Sequence, residues 1–389
     1  MKKIKNFDSF GVMLATQSKA SMSPEAMKRF FKIIASMGYN QFFLYTEDKI
    51  EVDNEPYHGY MRGRYSQAEL IELDEFASSV GIELIPCVQT LAHLSGLALW
   101  GEQYKMDAKD VLLVDDERTY TYIDNLFATC KKCFKTEKIH IGMDEAFGFS
   151  GAKYEKKNGA RAPIDVFLGH LERVNGICAK YGFTEPIIWS DMLYRIASKT
   201  HDYYDPEVKA DPSLARRIPK NVRLCYWDYY HDTQAYYEGM IDGHRSLGSE
   251  PILAGGIQLW HHFLHDREKT LATMAPMVAA AKKKGIKEFF FTVWGDSGGY
   301  GIPDVAEEGL FACAELAAGR TPEPTEENCA RFKAITGMDY RSLVRLGDVN
   351  RHYGDEWPDM IHEGDVLYDD ALYCGNLRNY LVRKPSEVT

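Results

Sequence analysis

Residues 138–146, Lys138-Ile139-His140-Ile141-Gly142-Met143-Asp144-Glu145-Ala146, read as a buried strand that ends in two adjacent carboxylates. In an extended segment Ile139, Ile141 and Met143 line one side, and His140, Gly142 and Asp144 the other. That alternation points Glu145 away from Asp144. Both reach one ligand only if the strand ends here and the backbone turns, which the following Ala-Phe-Gly-Phe-Ser-Gly permits. Strand ends are where α/β folds carry their chemistry. Two acids on such an edge can divide labour, one staying ionised while the other, kept from water, holds its proton near neutral pH. The plain alternative is a solvated pair opening a loop, so the rest of the chain must decide.

Outward from this stretch the chain repeats one unit. Strand-like runs begin near residues 11, 41, 83, 138, 186, 222, 252 and 288, most of them nearly continuous in apolar residues. Parallel strands buried on both faces look like this. Helical segments lie between them. Ser23-Pro24-Glu25 opens one as N-cap and first-turn proline, and Gly38 closes it. Ser66-Gln67-Ala68-Glu69 is a capping box, and Gly81 ends that helix. Further helices are expected at about 119–134, 163–181, 233–247, 267–284 and 303–318, with bounds good to roughly ±2–4 residues. Eight strand–helix units predict an α/β fold, a (β/α)8 TIM barrel, over residues 1–320. A doubly wound sheet is the runner-up, but no Gly-x-Gly-x-x-Gly turn follows the first strand. After Gly319 the linker-like Arg-Thr-Pro-Glu-Pro-Thr leads into 321–389, expected as a short helical extension packed on the barrel.

Composition narrows the function. The 389 residues carry a net charge of −11 with acids spread along the chain, which disfavours a nucleic-acid partner. No apolar run reaches about 18 residues, so no transmembrane helix is expected, and Gly11–Thr16 reads as the first strand rather than a signal peptide. Most of the eight cysteines fall inside expected strands and helices, as reduced packing residues of a cytoplasmic protein do. Cys130-Lys-Lys-Cys133 has metal-like spacing without a second pair nearby, so neither a metal nor another cofactor is expected. A homodimer stays open. The 24 Tyr and 6 Trp fit a carbohydrate site, where sugar C–H faces pack on aromatic rings, as well as they fit a core.

The strand ends carry one more pattern. The last four strands each bear a tryptophan near that edge, Trp189, Trp227, Trp260 and Trp294, three of them with an acid close by in Asp191, Asp228 and Asp296. This reads as a ringed pocket with polar contacts between the rings.

The string His140-x-Gly142-x-Asp144-Glu145 resembles the signature of the family 20 glycoside hydrolases, the β-N-acetylhexosaminidases. Leu-Tyr-Thr-Glu-Asp at 44–48, Gln-Thr-Leu-Ala-His at 89–93, Trp-Ser-Asp-Met at 189–192 and Tyr-Met-Arg-Gly-Arg-Tyr-Ser at 60–66 resemble its strand-end motifs, so the likeness covers about 10–320. The resemblance implies a substrate with a β-linked 2-acetamido sugar and substrate-assisted retaining hydrolysis. On it, Asp144 orients the acetamido group and Glu145 is the general acid. Asp48, with Glu47 as second choice, forms a hydrogen-bonded chain through His93 to Glu145, and Tyr226 or Tyr229 steadies the acetamido oxygen. His140 and the tryptophan–acid set complete the sugar pocket.

Three departures bear on the sugar. Relatives carry an arginine after strand one that grips hydroxyls, whereas Ala15-Thr-Gln-Ser-Lys-Ala20 offers only Lys19. Beyond Asp296 stands Gly-Gly-Tyr-Gly, and Ile257-Gln258 occupies a place often held by an aromatic residue. Hydroxyl recognition is therefore expected to differ, with Lys19 a candidate for an anionic substituent. Two alternatives remain: a glycan-binding barrel without turnover, and a metal-dependent hydrolase using His261, His262 and His265, which the absence of a His-x-His on strand one disfavours.

Overall fold

The apolar strand runs close into a parallel eight-stranded barrel in chain order. The computed structural model describes residues 4–347 apart from 18–20, 201, 205–212, 261–263 and 296–302. Its first half runs β1 (Ser9–Ala15), α1 (Pro24–Met37), β2 (Gln41–Tyr45), α2 (Gln67–Ser79), β3 (Glu83–Cys87), α3 (Ser95–Ala98), α4 (Glu117–Cys133) and β4 (Lys138–His140). The second half runs α5 (Ala152–Asn158), α6 (Pro163–Lys180), β5 (Glu185–Trp189), α7 (Asp191–Arg195), β6 (Arg223–Trp227), α8 (Gln234–Ser246), β7 (Ile252–Gly256), α9 (Arg267–Lys284), β8 (Glu288–Val293) and α10 (Ala306–Ala317). The barrel shuts where β1 lies parallel to β8, from Ser9 opposite Glu288 to Leu14 opposite Val293.

The caps read from sequence form. Ser66 accepts the Glu69 N–H at 3.2 Å and Glu69 accepts the Ser66 N–H at 2.8 Å, satisfying two orphan donors of α2 at once. Gly38, at φ 104°, returns its N–H to the last turn of α1, in a conformation that a Cβ would disfavour. α4 starts two residues earlier than expected because Asp116 accepts the Arg118 N–H at 2.9 Å. The short helices α3, α5 and α7 were not anticipated; all three lie in the loops that follow strands, on the face that carries the site.

Inside the barrel Phe43, His140, Trp189 and Phe290 close a ring of side chains. Phe43 is 4.4 Å from Phe290 and 6.4 Å from His140, and Trp189 is 4.4 Å from His140 and 6.0 Å from Phe290. This layer is the floor on which the site stands.

Beyond the barrel, α11 (Glu326–Thr336) and α12 (Tyr340–Leu346) pack Phe332 and Tyr340 onto Phe311 of α10, at 5.3 and 5.1 Å. The remainder of the expected extension, 348–389, lies outside the described residues. Near this junction Glu308, fully buried, is gripped by Arg267 and His265, and His265 also meets the Thr270 hydroxyl at 2.8 Å. His265 therefore serves the barrel wall; His261 and His262 lie outside the described residues. Removing Arg267 leaves the buried Glu308 charge with His265 alone. Arg267→Met is expected to lower the unfolding free energy by about 3 kcal/mol, read as a fall in the urea midpoint at unchanged slope. A midpoint within error of the parent would disprove this role.

Candidate active site

The chain does not run as alternation predicts. Extended backbone stops at His140, and the turn comes before the acids rather than after them: Gly142, Met143 and Glu145 adopt left-handed φ of 71°, 76° and 45°. Only glycine fits at 142, where a Cβ would stand 1.9 Å from the Gln89 Oε1. Gln89 organises this turn. Its Oε1 accepts the Met143 N–H at 3.3 Å, while its Nε2 donates to Asp144 Oδ1 at 2.8 Å and to the Tyr45 hydroxyl at 3.1 Å. The Tyr45 hydroxyl donates in turn to Glu47 at 3.2 Å. From the start of α7, Asp191 accepts the Glu145 N–H at 3.0 Å. Glu47 and His93 are also left-handed, at 47° and 57°. Such strained residues persist only where surrounding structure over-determines them, and they gather at functional sites.

His93 lies between the two acids, its Nε2 3.3 Å from Asp144 Oδ2 and 3.5 Å from Glu145 Oε2. Burial works against its charge, but Asp144, Glu145 and Glu47 outweigh burial and raise its pKa to about 10. Asp144 is also buried; the His93 cation and the bonds from His93 and Gln89 overcome that and hold it below the usual carboxylate range. Glu145 goes the other way, raised by burial and by the neighbouring Asp144 charge against the pull of His93. The two adjacent acids thus differ as an anion and a proton donor should.

Around them opens a cavity of about 340 Å³. Trp189, Trp227, Trp260 and Trp294 all line it, with Tyr229 standing 5.1 Å from both Trp227 and Trp260. Gln258, in the place where an aromatic residue was noted as missing, donates to the Tyr229 carbonyl at 2.8 Å and so supports this wall.

Several expected positions differ. Asp48 does not reach His93; it is buried 3.5 Å from Arg62, and Glu47, the second choice, lines the cavity instead. β2 has ended at Tyr45, and the turn with Glu47 at φ 47° sends the two neighbouring acids to different sides. Tyr226 is buried behind the wall and donates to Asp228 at 2.7 Å, so of the two candidates only Tyr229 lines the cavity. Asp228 does not line it either; it accepts the Tyr230 and His231 N–H groups at 3.0 and 3.2 Å and shapes that loop. Asp191 sits beneath, holding the Glu145 backbone and accepting Trp227 Nε1 at 3.4 Å. His140 belongs to the floor, its Nδ1 accepting the Gly142 N–H at 3.2 Å, and burial drives its pKa down to about 3. Lys19 and Asp296 lie outside the described residues.

Sequence reading missed Gln17, Tyr45, Gln89 and Tyr230. Tyr45 and Gln89 stand inside quoted strand-end motifs, so their position was the available signal; Gln17 and Tyr230 line the cavity from loops with no such mark.

Burial raises Glu47 to about 8. Between its unfolded pKa near 4.5 and pH 8 the folded state keeps a proton that the unfolded state has lost, so stability falls as pH rises through that window. Glu47→Gln removes this dependence. Because the carboxyl faces a wet cavity, the effect is put at on the order of 2 kcal/mol rather than the full shift. The variant should lose less stability than the parent between pH 5 and 8 in urea titrations; parallel losses would show that Glu47 ionises freely.

Adjacent carboxylates with a histidine between them, at the C-terminal mouth of a (β/α)8 barrel with tryptophan walls, fit the class of sugar-processing barrels. The chain belongs to glycosyl hydrolase family 20, whose catalytic-domain profile matches residues 16–250. Hexosaminidase D of Bos taurus is 23% identical over 229 residues, 55% of this chain and 61% of that protein. Hexosaminidase D of Homo sapiens is 23% identical over 232 residues, 54% of this chain and 43% of that one. The matched region thus spans about half of the curated relatives. Among solved structures, Flavobacterium johnsoniae chitobiase aligns over 88% of this chain and 52% of its own, at TM-score 0.61 and 18% identity. Streptomyces plicatus N-acetyl-β-hexosaminidase, in complex with Thio-NAglucal, aligns over 85% and 68%, at TM-score 0.58 and 19% identity. At such identities these likenesses speak for the fold.

Proposed function

We propose that this barrel is a retaining exo-β-N-acetylhexosaminidase that uses the substrate's own 2-acetamido group as nucleophile. The observation that carries it is the opposed electrostatics of two neighbouring acids in one tryptophan-walled cavity: Asp144 held ionised, Glu145 held toward its protonated form. The acetamido oxygen attacks the anomeric carbon as the bond to the leaving oxygen breaks, giving an oxazolinium ion. Glu145 supplies the proton to the leaving oxygen. Asp144 accepts the amide N–H and stabilises the positive charge that develops there. Glu145, now a carboxylate, takes a proton from the water that opens the oxazolinium, which returns the β-anomer. Tyr229 is the candidate donor to the acetamido oxygen, and the tryptophans hold the methyl group and exclude water. His93, held by both acids, keeps their carboxyls in register, with Glu47 behind it in place of Asp48.

The complex of the Streptomyces plicatus relative with Thio-NAglucal supports a 2-acetamido sugar as substrate. The cytoplasmic location we propose rests on the cysteines: the seven described are all free, six of them buried. Release of 4-nitrophenol from aryl N-acetylhexosaminides, with inhibition by a thiazoline analogue of the oxazolinium ion, tests the reading. Thiazoline binding without release would mean a glycan-binding barrel instead. Neither binding nor release would overturn both.

A further inference from the structure

A general acid must face the oxygen of the leaving group, so side chains packed beside Glu145 away from Asp144 border the leaving-group sugar; this rests on the hydrolase reading. Three of them have no part in the mechanism above. Arg195, the last residue of α7, lays its guanidinium 4.1 Å from the ring centre of Phe147 and 4.5 Å from that of Tyr203. Phe147 follows the acid by two residues and is half-exposed. Tyr203 stands 5.0 Å from Trp227 of the cavity wall, and its hydroxyl meets Glu145. The trio therefore continues the wall outward on the acid's side.

What sets Arg195 apart is its charge. Arg118 is matched to Glu55, Arg267 to Glu308 and Arg331 to Glu315. Among the described residues no carboxylate lies within ion-pairing distance of Arg195, and its Nη1 is buried without a hydrogen-bond partner. The guanidinium is held instead by the two ring faces and the Tyr203 hydroxyl, with Glu145 near enough to feel its charge, so among the described residues no close ion pair uses up its positive charge. A guanidinium held between two rings is already oriented, and its planar fork matches an oxyanion with two parallel bonds. The exposed Phe147 ring offers a face for the C–H side of a pyranose.

We propose that Phe147, Arg195 and Tyr203 form a leaving-group subsite for an anionic sugar, in which Arg195 pairs with a carboxylate or a sulfate ester. The preferred substrate is then a β-linked 2-acetamido sugar whose partner across the scissile bond is a hexuronate or a sulfated hexose. The two sources of negative charge are separated by the test.

Three non-hydrolysable thio-linked disaccharides, ending in a hexuronate, a sulfated hexose or a neutral hexose, are titrated into the protein. At least one anionic disaccharide should bind roughly tenfold tighter than the neutral one, the scale of a charge-assisted pair at a half-open site. The preferred one identifies the anion. Arg195→Met should bring that ratio close to one, and Arg195→Lys, which keeps the charge without the fork, should retain part of it. Equal affinities in the parent protein overturn the proposal. So does a ratio that survives Arg195→Met, or one that stays fixed while all three ligands weaken together, since Arg195 would then act only through Glu145. The oxygen-linked disaccharides are assayed alongside. Anionic preference in binding with no hydrolysis of any of them would retain the subsite and remove the hydrolase reading.

Discussion

Replacing Asp144 by asparagine is expected to slow hydrolysis by about 10²–10³-fold, the scale for deleting one preorganised contact to developing charge. The side chain keeps its shape, so the loss comes from charge and polarity. Gln89 Nε2 donates to Oδ1 at 2.8 Å, which would hold the asparagine oxygen on that side. Its amide nitrogen would then face His93, presenting a donor where the carboxylate oxygen stood 3.3 Å from Nε2. The acetamido N–H would meet that donor instead of an acceptor, and the oxazolinium ion would lose its counter-charge. His93 should lose the largest of the influences that raise its pKa. Two measurements check this: kcat/KM on a simple aryl N-acetylhexosaminide, and thiazoline affinity, which should weaken alongside. Near-parental turnover would exclude substrate assistance through Asp144.

Glu145→Gln carries the second large effect. Glutamine keeps the backbone bond to Asp191 but has no proton to give, so substrates with poor leaving groups should slow by at least about 10²-fold. Activated aryl glycosides, whose leaving oxygen needs little protonation, should be spared in the first chemical step. Their turnover then stalls at the second step, where the carboxylate is needed to activate water. Added azide, which needs no general base, should restore part of that rate and appear in the product as a β-glycosyl azide. Equal losses on both substrate types, with glycosylation shown to limit each, would take the acid role away from Glu145. Together the two variants separate the adjacent carboxylates: one loss independent of the leaving group, the other graded by it.

The supporting shell explains why neither acid acts alone. Gln89, reached from β3, is bonded at once to Asp144, to the Met143 N–H and to Tyr45. It could not make these bonds unless the backbone at 142 came within reach, and that requires a glycine at positive φ. Strain at Met143, Glu145, Glu47 and His93 is held by this mesh rather than by any one of its members.

The sequence by itself determined the barrel. Eight apolar runs, capped helices between them and tryptophans at the last four strand ends are local facts, and local propensity and periodicity read them directly. That Asp144 and Glu145 reach one cavity it left conditional on a turn, which the folded chain makes at Gly142, Met143 and Glu145. Only the tertiary structure decided which neighbour of each pair faces the cavity. Glu47 rather than Asp48 lines it because the chain has left β2 and turns there, with Glu47 at φ 47°, and Tyr229 rather than Tyr226 because Tyr226 still lies in β6 while Tyr229 stands in the loop beyond it. His140, Asp191 and Asp228 looked like ligand contacts and became floor and braces, for strand-end polar residues serve the turns as readily as the substrate. The place of Arg195, stacked between Phe147 and Tyr203 beside the acid, was invisible for the opposite reason: it is a property of everything packed around a residue, and no stretch of sequence contains it.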